Sequence, residues 1–124
     1  MVKAPLVNTI PDEQFGTELL RLLATNGFPV SVAFWLKDED RWELVLGTPL
    51  YKKLGGQKAY LKLISVLSKD GPIALSEYPI RLESEADPIV ASFLKVRHIH
   101  RFSGSIGGRW VEDLLLYPKS ALTA

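Results

Sequence analysis

The chain has 124 residues, 47% of them apolar and 23% charged, with a formal net charge of +1. That is the length of one domain, 1–124, with enough apolar material for a core of its own. The absence of cysteine excludes a disulfide framework, thiolate catalysis and thiolate metal sites, and the near-zero net charge gives no general argument for nucleic acid or an anionic membrane.

The opening stretch MVKAPLVNTIPDEQ lacks the continuous apolar run of a signal peptide, and no window approaches the roughly 18 apolar residues of a membrane span. A cytoplasmic protein with no membrane partner is the expectation. Residues 1–8 read as a lead-in, with Leu6 and Val7 able to add a strand. Thr9 is the expected N-cap of a first helix, with Pro11 in its first turn and Asp12 and Glu13 at the positive end of its dipole. Phe15, Leu19, Leu22 and Leu23 recur at helical spacing, and Asn26-Gly27 followed by Pro29 ends the helix.

A hairpin follows in VSVAFWLKDEDRWELVLG (30–47). With Asp38-Glu39-Asp40 as the turn, Lys37 pairs with Arg41. Val30, Val32, Phe34 and Leu36 then share a core face with Trp42, Leu44 and Leu46, and Trp35, Ala33 and Val45 fall on the other face. Thr48 to Gly56 reads as a connection. A second helix carries Ala59, Tyr60, Leu63, Ile64 and Leu67 on its apolar stripe and Lys58, Lys62, Ser65 and Lys69 on the reverse, and Asp70-Gly71-Pro72 closes it.

From Ile73 to Glu85 the pattern is strand-like, with Tyr78, Ile80 and Leu82 on one face, and Pro79 disfavours a central position. Asp87-Pro88 opens a short helix whose buried side is Ile89, Val90, Phe93 and Leu94. A second hairpin runs from His98 to Tyr117 and turns at Gly107-Gly108. Simple alternation puts Ile99, Arg101, Ser103, Ser105, Trp110, Glu112, Leu114 and Leu116 on one face, and His98, His100, Phe102, Gly104, Val111, Asp113, Leu115 and Tyr117 on the other. The tail, 118–124, is expected to be loose. The economical architecture is α+β: one mainly antiparallel sheet of about five strands, two hairpins plus one strand, with three helices packed on one face.

The segments AFWL (33–36), RWELVLGTPL (41–50), AY (59–60) and WVEDLLLY (110–117) together resemble a family of small uncharacterised bacterial proteins. Its pattern has an AFW strand, a WxL strand ending in a TPL-like step, and a late EDxxxY strand. The resemblance implies a bacterial single-domain protein and supplies no activity or site.

Three groups of residues are candidates for function. His98 and His100 are two apart, so a strand would put both on one face, with Asp113 diagonal to His100. This is a possible two-histidine, one-carboxylate metal set, weighed against ordinary surface histidines. Lys95, Arg97, Arg101 and Arg109 with Phe102 and Trp110 mix basic and aromatic residues as single-stranded nucleic-acid sites do, and Lys58, Lys62 and Lys69 could add a second basic stripe. Trp35, beside Ala33 and Val45 and rimmed by Lys37, Arg41 and Glu43, has the make-up of a protein-contact patch on the outer sheet face, unless the chain itself covers that face.

Glu112 and Asp113, adjacent on a strand, should point to opposite faces, with Glu112 paired to Arg101 and Asp113 served by His100 or Arg109. SGSIGG (103–108) leads into a strand and not a helix, so it is a turn and not a phosphate cradle. No nucleophile elbow or Ser-His-Asp order stands out, and no cofactor or catalytic residue is expected. The leading expectation is a non-enzymatic domain acting through protein contacts, self-association included. A nucleic-acid-binding module using 95–110 is the alternative.

Overall fold

Residues 12–70, 79–96 and 99–122 are described by the computed structural model. Thr9 and the Leu6–Val7 strand lie outside them. Helix α1, Glu13–Thr25, is capped by Asp12, whose side chain accepts the Phe15 N–H at 3.0 Å. It ends in a Schellman turn. Gly27 takes φ +74, its N–H bonds the Ala24 carbonyl, and the Phe28 N–H reaches back to Leu23 at 2.9 Å.

The first hairpin, β1 (Val32–Asp38) and β2 (Arg41–Gly47), closes one residue tighter than the sequence suggests. Asp38 pairs with Arg41, and the turn is Glu39-Asp40 with Glu39 at φ +60, a left-handed conformation that suits the strand twist. This shifts every cross-strand neighbour. Trp35 faces Leu44 and shares a side with Trp42 and Leu46, whereas Phe34 pairs with Val45. The expected register fails because it presumed one solvated face. Val32 to Leu36 and Leu44 to Thr48 are all buried, so a one-residue slip moves an apolar set from one covered face to another.

Thr48 is buried and caps a short helix, α2 (Pro49–Leu54), where the sequence pattern suggests only a connection. Its hydroxyl accepts the Leu50 N–H and donates to the Pro29 carbonyl at 2.6 Å. After Gly55, α3 (Gly56–Asp70) completes a crossover to β3 (Ile80–Glu83), which pairs parallel to β2. The earlier part of the expected third strand, including Tyr78, lies outside the described residues.

Asp87 caps α4 (Pro88–Phe93) through the Ile89 and Val90 N–H groups. Strands β4 (Arg101–Ile106) and β5 (Arg109–Leu116) form the second hairpin, and a 3₁₀ turn, Lys119–Leu122, follows. As far as Leu122 the tail is not loose, since Ala121 and Leu122 pack onto the core.

The result is an α+β domain with one five-stranded, mainly antiparallel sheet in the order β3-β2-β1-β5-β4. Its first face carries α1, α2, α3 and the 3₁₀ turn around Trp35, Trp42, Leu44, Leu46 and Leu115. Three helices do lie on one face, but α2 is one of them. The Asp87-Pro88 helix lies on the opposite face, where Ile89, Val90 and Phe93 cover Phe34, Val45, Leu114 and Leu116. Gly47 allows that approach, because a Cβ there would sit 2.5 Å from a Val90 methyl. Among the described residues no helix is long and apolar enough to cross a membrane.

Candidate functional site at the open end of the sheet

The first face is covered unevenly. Over β1 it is closed: Trp35 is fully buried, with the Phe15 ring 6.5 Å away and its indole N–H donated to the Tyr117 hydroxyl at 2.9 Å. Tyr117 in turn donates to the Glu13 carbonyl on α1 at 2.9 Å. Burial of the phenol, more than any neighbouring charge, pushes its pKa up to about 12.

Towards β4 the same face is open. From the Gly107-Gly108 turn, Ile106 pairs with Arg109, Ser105 with Trp110 and Gly104 with Val111. Phe102 then pairs with Leu114, so β5 uses three residues where β4 uses two. This β-bulge at Glu112-Asp113 resets the alternation. Leu115 keeps to the Trp35 face while Val111 and Leu114 keep to the α4 face. Arg101, Ser103, Ser105 and Trp110 thus stand on the same side as Trp35, beyond the helices, and Trp110 is 71% exposed.

The bulge also corrects the expected ion pairs. Asp113, not Glu112, holds Arg101, through Oδ1 to Nε at 3.0 Å and Oδ2 to Nη2 at 2.5 Å. Glu112 reaches Lys37 at 3.2 Å. Both carboxylates therefore bind cations of the same face, where unbroken alternation would separate them. The Arg101 hydrogen bond is the chief reason the Asp113 carboxyl sits below its ordinary pKa, opposed by partial burial. Ser103 donates to the Glu112 carbonyl at 2.9 Å, tying β4 to the bulge.

The candidate groups from the sequence are rearranged accordingly. Trp35, Ala33 and Val45 are buried inside the chain, and Val45 belongs to the opposite face, so they form no free contact patch. Lys37 is engaged by Glu112, and Arg41 lies exposed beside the hairpin turn. The covering of Trp35 comes from α1, the 3₁₀ turn and Tyr117, long-range neighbours that strand alternation cannot reveal.

Of the basic and aromatic set, Lys95, Arg101, Arg109 and Trp110 are exposed, and Arg97 lies outside the described residues. Phe102 is on the α4 face, its ring 6.0 Å from Phe93, so it cannot share a stacking surface with Trp110. His98 also lies outside the described residues. His100 is exposed, and Asp113 has both oxygens on Arg101. Among the described residues no group of three His, Cys, Asp or Glu is placed to hold a metal ion.

A cavity of about 190 Å³ lies between α1 and the end of β5, lined by Glu13, Thr17, Trp35, His100 and Tyr117 among others. The hydroxyls of Thr17 and Tyr117 both donate to the Glu13 carbonyl, a structural pattern and not a catalytic one.

The feature missed by sequence reasoning is the contrast between the two sheet edges. Edge strand β3 is four residues long, follows Pro79, and has Arg81 held between Glu43 and Glu83 at 3.1 Å each. These are usual protections against strand addition. Edge strand β4 is longer, and its single charge, Arg101, is already paired. The bonded partnership of His100 with Leu116 implies, by alternation, that residues 101, 103 and 105 turn their N–H and C=O groups outward. Compared with protein-family models, curated proteins and solved structures, the chain matches none.

Proposed function

We propose that the chain is a non-enzymatic domain that acts through protein contacts, and that its first contact is with a second copy of itself along β4. The observation that carries this reading is a longer edge strand whose one charge is already paired, beside a tryptophan that is 71% exposed, on a sheet whose other edge is short and follows a proline. A two-fold axis at Ser103 would set β4 antiparallel to its copy. Arg101 of each copy then faces Ser105 of the other, with no like charges opposed. Ile99, 42% exposed just before β4, adds apolar surface at the same edge. A cytoplasmic location, in keeping with a chain free of cysteine, belongs to the same proposal.

Light scattering at micromolar concentration tests it. The native chain is expected to be a dimer. Ser103→Pro removes an outward N–H that the sheet does not use together with the Ser103–Glu112 tie, so it is expected to give a monomer with a small loss of melting temperature, which Ser103→Ala, still a dimer, matches. A monomeric native chain, or a Ser103→Pro variant that stays dimeric, overturns the reading. Nucleic-acid binding is the second reading. The exposure of Arg109 and Trp110 favours it, while their placement on opposite faces of β5, the partial burial of Phe102 and the neutralisation of Arg101 weigh against it.

A further inference from the structure

The net charge of +1 conceals a strong local imbalance. Residues 44–69 contain five lysines, no arginine and no acid, whereas the rest of the chain carries ten basic and fourteen acidic residues. The structure folds this stretch largely into one unit, α2 and α3, joined at Gly55, which takes φ +90.

Its apolar side is spent on the core: Ala59, Leu63, Val66 and Leu67 are buried against the sheet. On the reverse, Lys58, Leu61, Lys62 and Ser65 stand at i, i+3, i+4 and i+7, a single stripe, and all are exposed. Lys52, Lys53 and Leu54 are exposed at the end of α2. The leucines are conspicuous: Leu61 is 57% exposed and Leu54 36%. Tyr60, expected on the buried stripe, is instead 40% exposed at its margin.

We infer that the α2–α3 surface docks on an anionic phospholipid bilayer, with Lys52, Lys53, Lys58 and Lys62 over the headgroups and Leu54 and Leu61 inserted at the interface. Charge complementarity limits the occupant to an anionic one, and residue choice separates the anionic candidates. Lysine is depleted in protein–protein interfaces, which disfavours an acidic protein. Arginine is the preferred residue for paired phosphate and base recognition, and residues 44–69 contain none. Exposed leucines gain nothing from a phosphodiester backbone, but they gain from a bilayer interface, where lysine stems can lie along apolar surface while the ammonium stays with the headgroups. Neither helix is long and apolar enough to span, so the contact is with the bilayer surface.

Each lysine held near an anionic surface multiplies binding by about five, so the four act together through several hundredfold. Co-sedimentation with vesicles of phosphatidylcholine containing phosphatidylserine, against vesicles of phosphatidylcholine alone, is the test. Binding is expected only with phosphatidylserine, falling sharply in high salt. Lys58→Glu/Lys62→Glu should lower it more than tenfold. Leu61→Ser should weaken it severalfold while leaving the salt dependence unchanged. All three positions are exposed, so the variants should fold, and the emission of buried Trp35 and Trp42 checks that they do.

Failure of the native chain to bind at low salt overturns the inference, as does binding that survives the double charge reversal. Equal retention of native chain and Leu61→Ser on vesicles and on single-stranded DNA also overturns it, since the surface is then a general polyanion site. Dimerisation through β4 is read separately, so either proposal can fail alone.

Discussion

Trp35 and Trp110 stand on the same face of the same sheet, yet one is fully buried and the other is 71% exposed. The difference lies in what passes overhead. Helix α1, 13 residues and so about 20 Å long, packs with the 3₁₀ turn over β1. The outer hairpin β4–β5 projects beyond that cover. One end of the face is therefore a core and the other a surface, although each carries a tryptophan on its strands. The comparison is broken most forcefully at the two tryptophans themselves. Trp35→Ala should cost about 3–5 kcal/mol in chemical denaturation, because it empties a close-packed site. Trp110→Ala should stay within about 0.5 kcal/mol while weakening any dimer. A large loss of stability at Trp110 would mean that the open end is covered after all.

The next effect concerns the polar lock that closes the covered end. Tyr117 accepts the Trp35 indole N–H and fastens β5 to α1. It fits only because residue 16 is glycine, since a Cβ there would lie 1.9 Å from the Tyr117 hydroxyl oxygen. Tyr117→Phe leaves the buried indole without that acceptor and should cost about 1–3 kcal/mol. Gly16→Ala should displace the same ring, and since the new Cβ would also lie 2.6 Å from the ring carbon Cζ, its cost should persist in the Tyr117→Phe background and fall only in Tyr117→Ala. The pH dependence has a definite sign. The folded phenol titrates at about 12 against an ordinary value of 10.0, so the fold prefers it neutral. Stability is full below the ordinary value and falls as pH rises from about 10 to about 12. Tyr117→Phe should flatten that alkaline limb, measurable as melting temperature against pH.

These two regions also differ in how far the sequence disclosed them. Helical spacing located α1 and α3, Asp87-Pro88 located α4, and Gly107-Gly108 placed the second turn in register. The same Xaa-Pro signal was present at Thr48-Pro49 and marked α2, but the adjoining glycines read as a loop. The first hairpin misled because its strands are buried on both faces, which removes the solvent penalty that normally fixes register. From that one-residue slip comes the grouping of Trp35 with Ala33 and Val45 as a candidate contact patch. The second hairpin was readable from its turn outward as far as Val111, where the bulge at Glu112-Asp113 exchanged the faces. A bulge leaves no reliable mark in one sequence, so alternation puts Asp113 and Leu115 on the wrong face and the Arg101 ion pair one residue off. Which sheet edge is guarded depends on strand order, and order is fixed by long-range pairing that local pattern does not carry.

The smallest effect is expected where the open end holds itself together. The Arg101–Asp113 pair binds β4 to β5 on a surface facing solvent, unlike the buried Trp35–Tyr117 bond. The Asp113 carboxyl is held below its ordinary value, mainly by Arg101, so its stabilising contribution is present above about pH 4 and is lost as pH falls through the folded value. Asp113→Asn should therefore lower the melting temperature slightly at neutral pH, and native and variant curves should converge in acid. Salt should shrink the difference, as it does for exposed pairs, while leaving Tyr117→Phe untouched. Hydrogen exchange gives the sharper reading. Loss of the pair should speed amide exchange in β4 and β5 and spare β1 and α1, because the covered end does not depend on it. If exchange accelerates equally across the sheet, the two ends form one cooperative unit, and the division between a core end and a surface end fails.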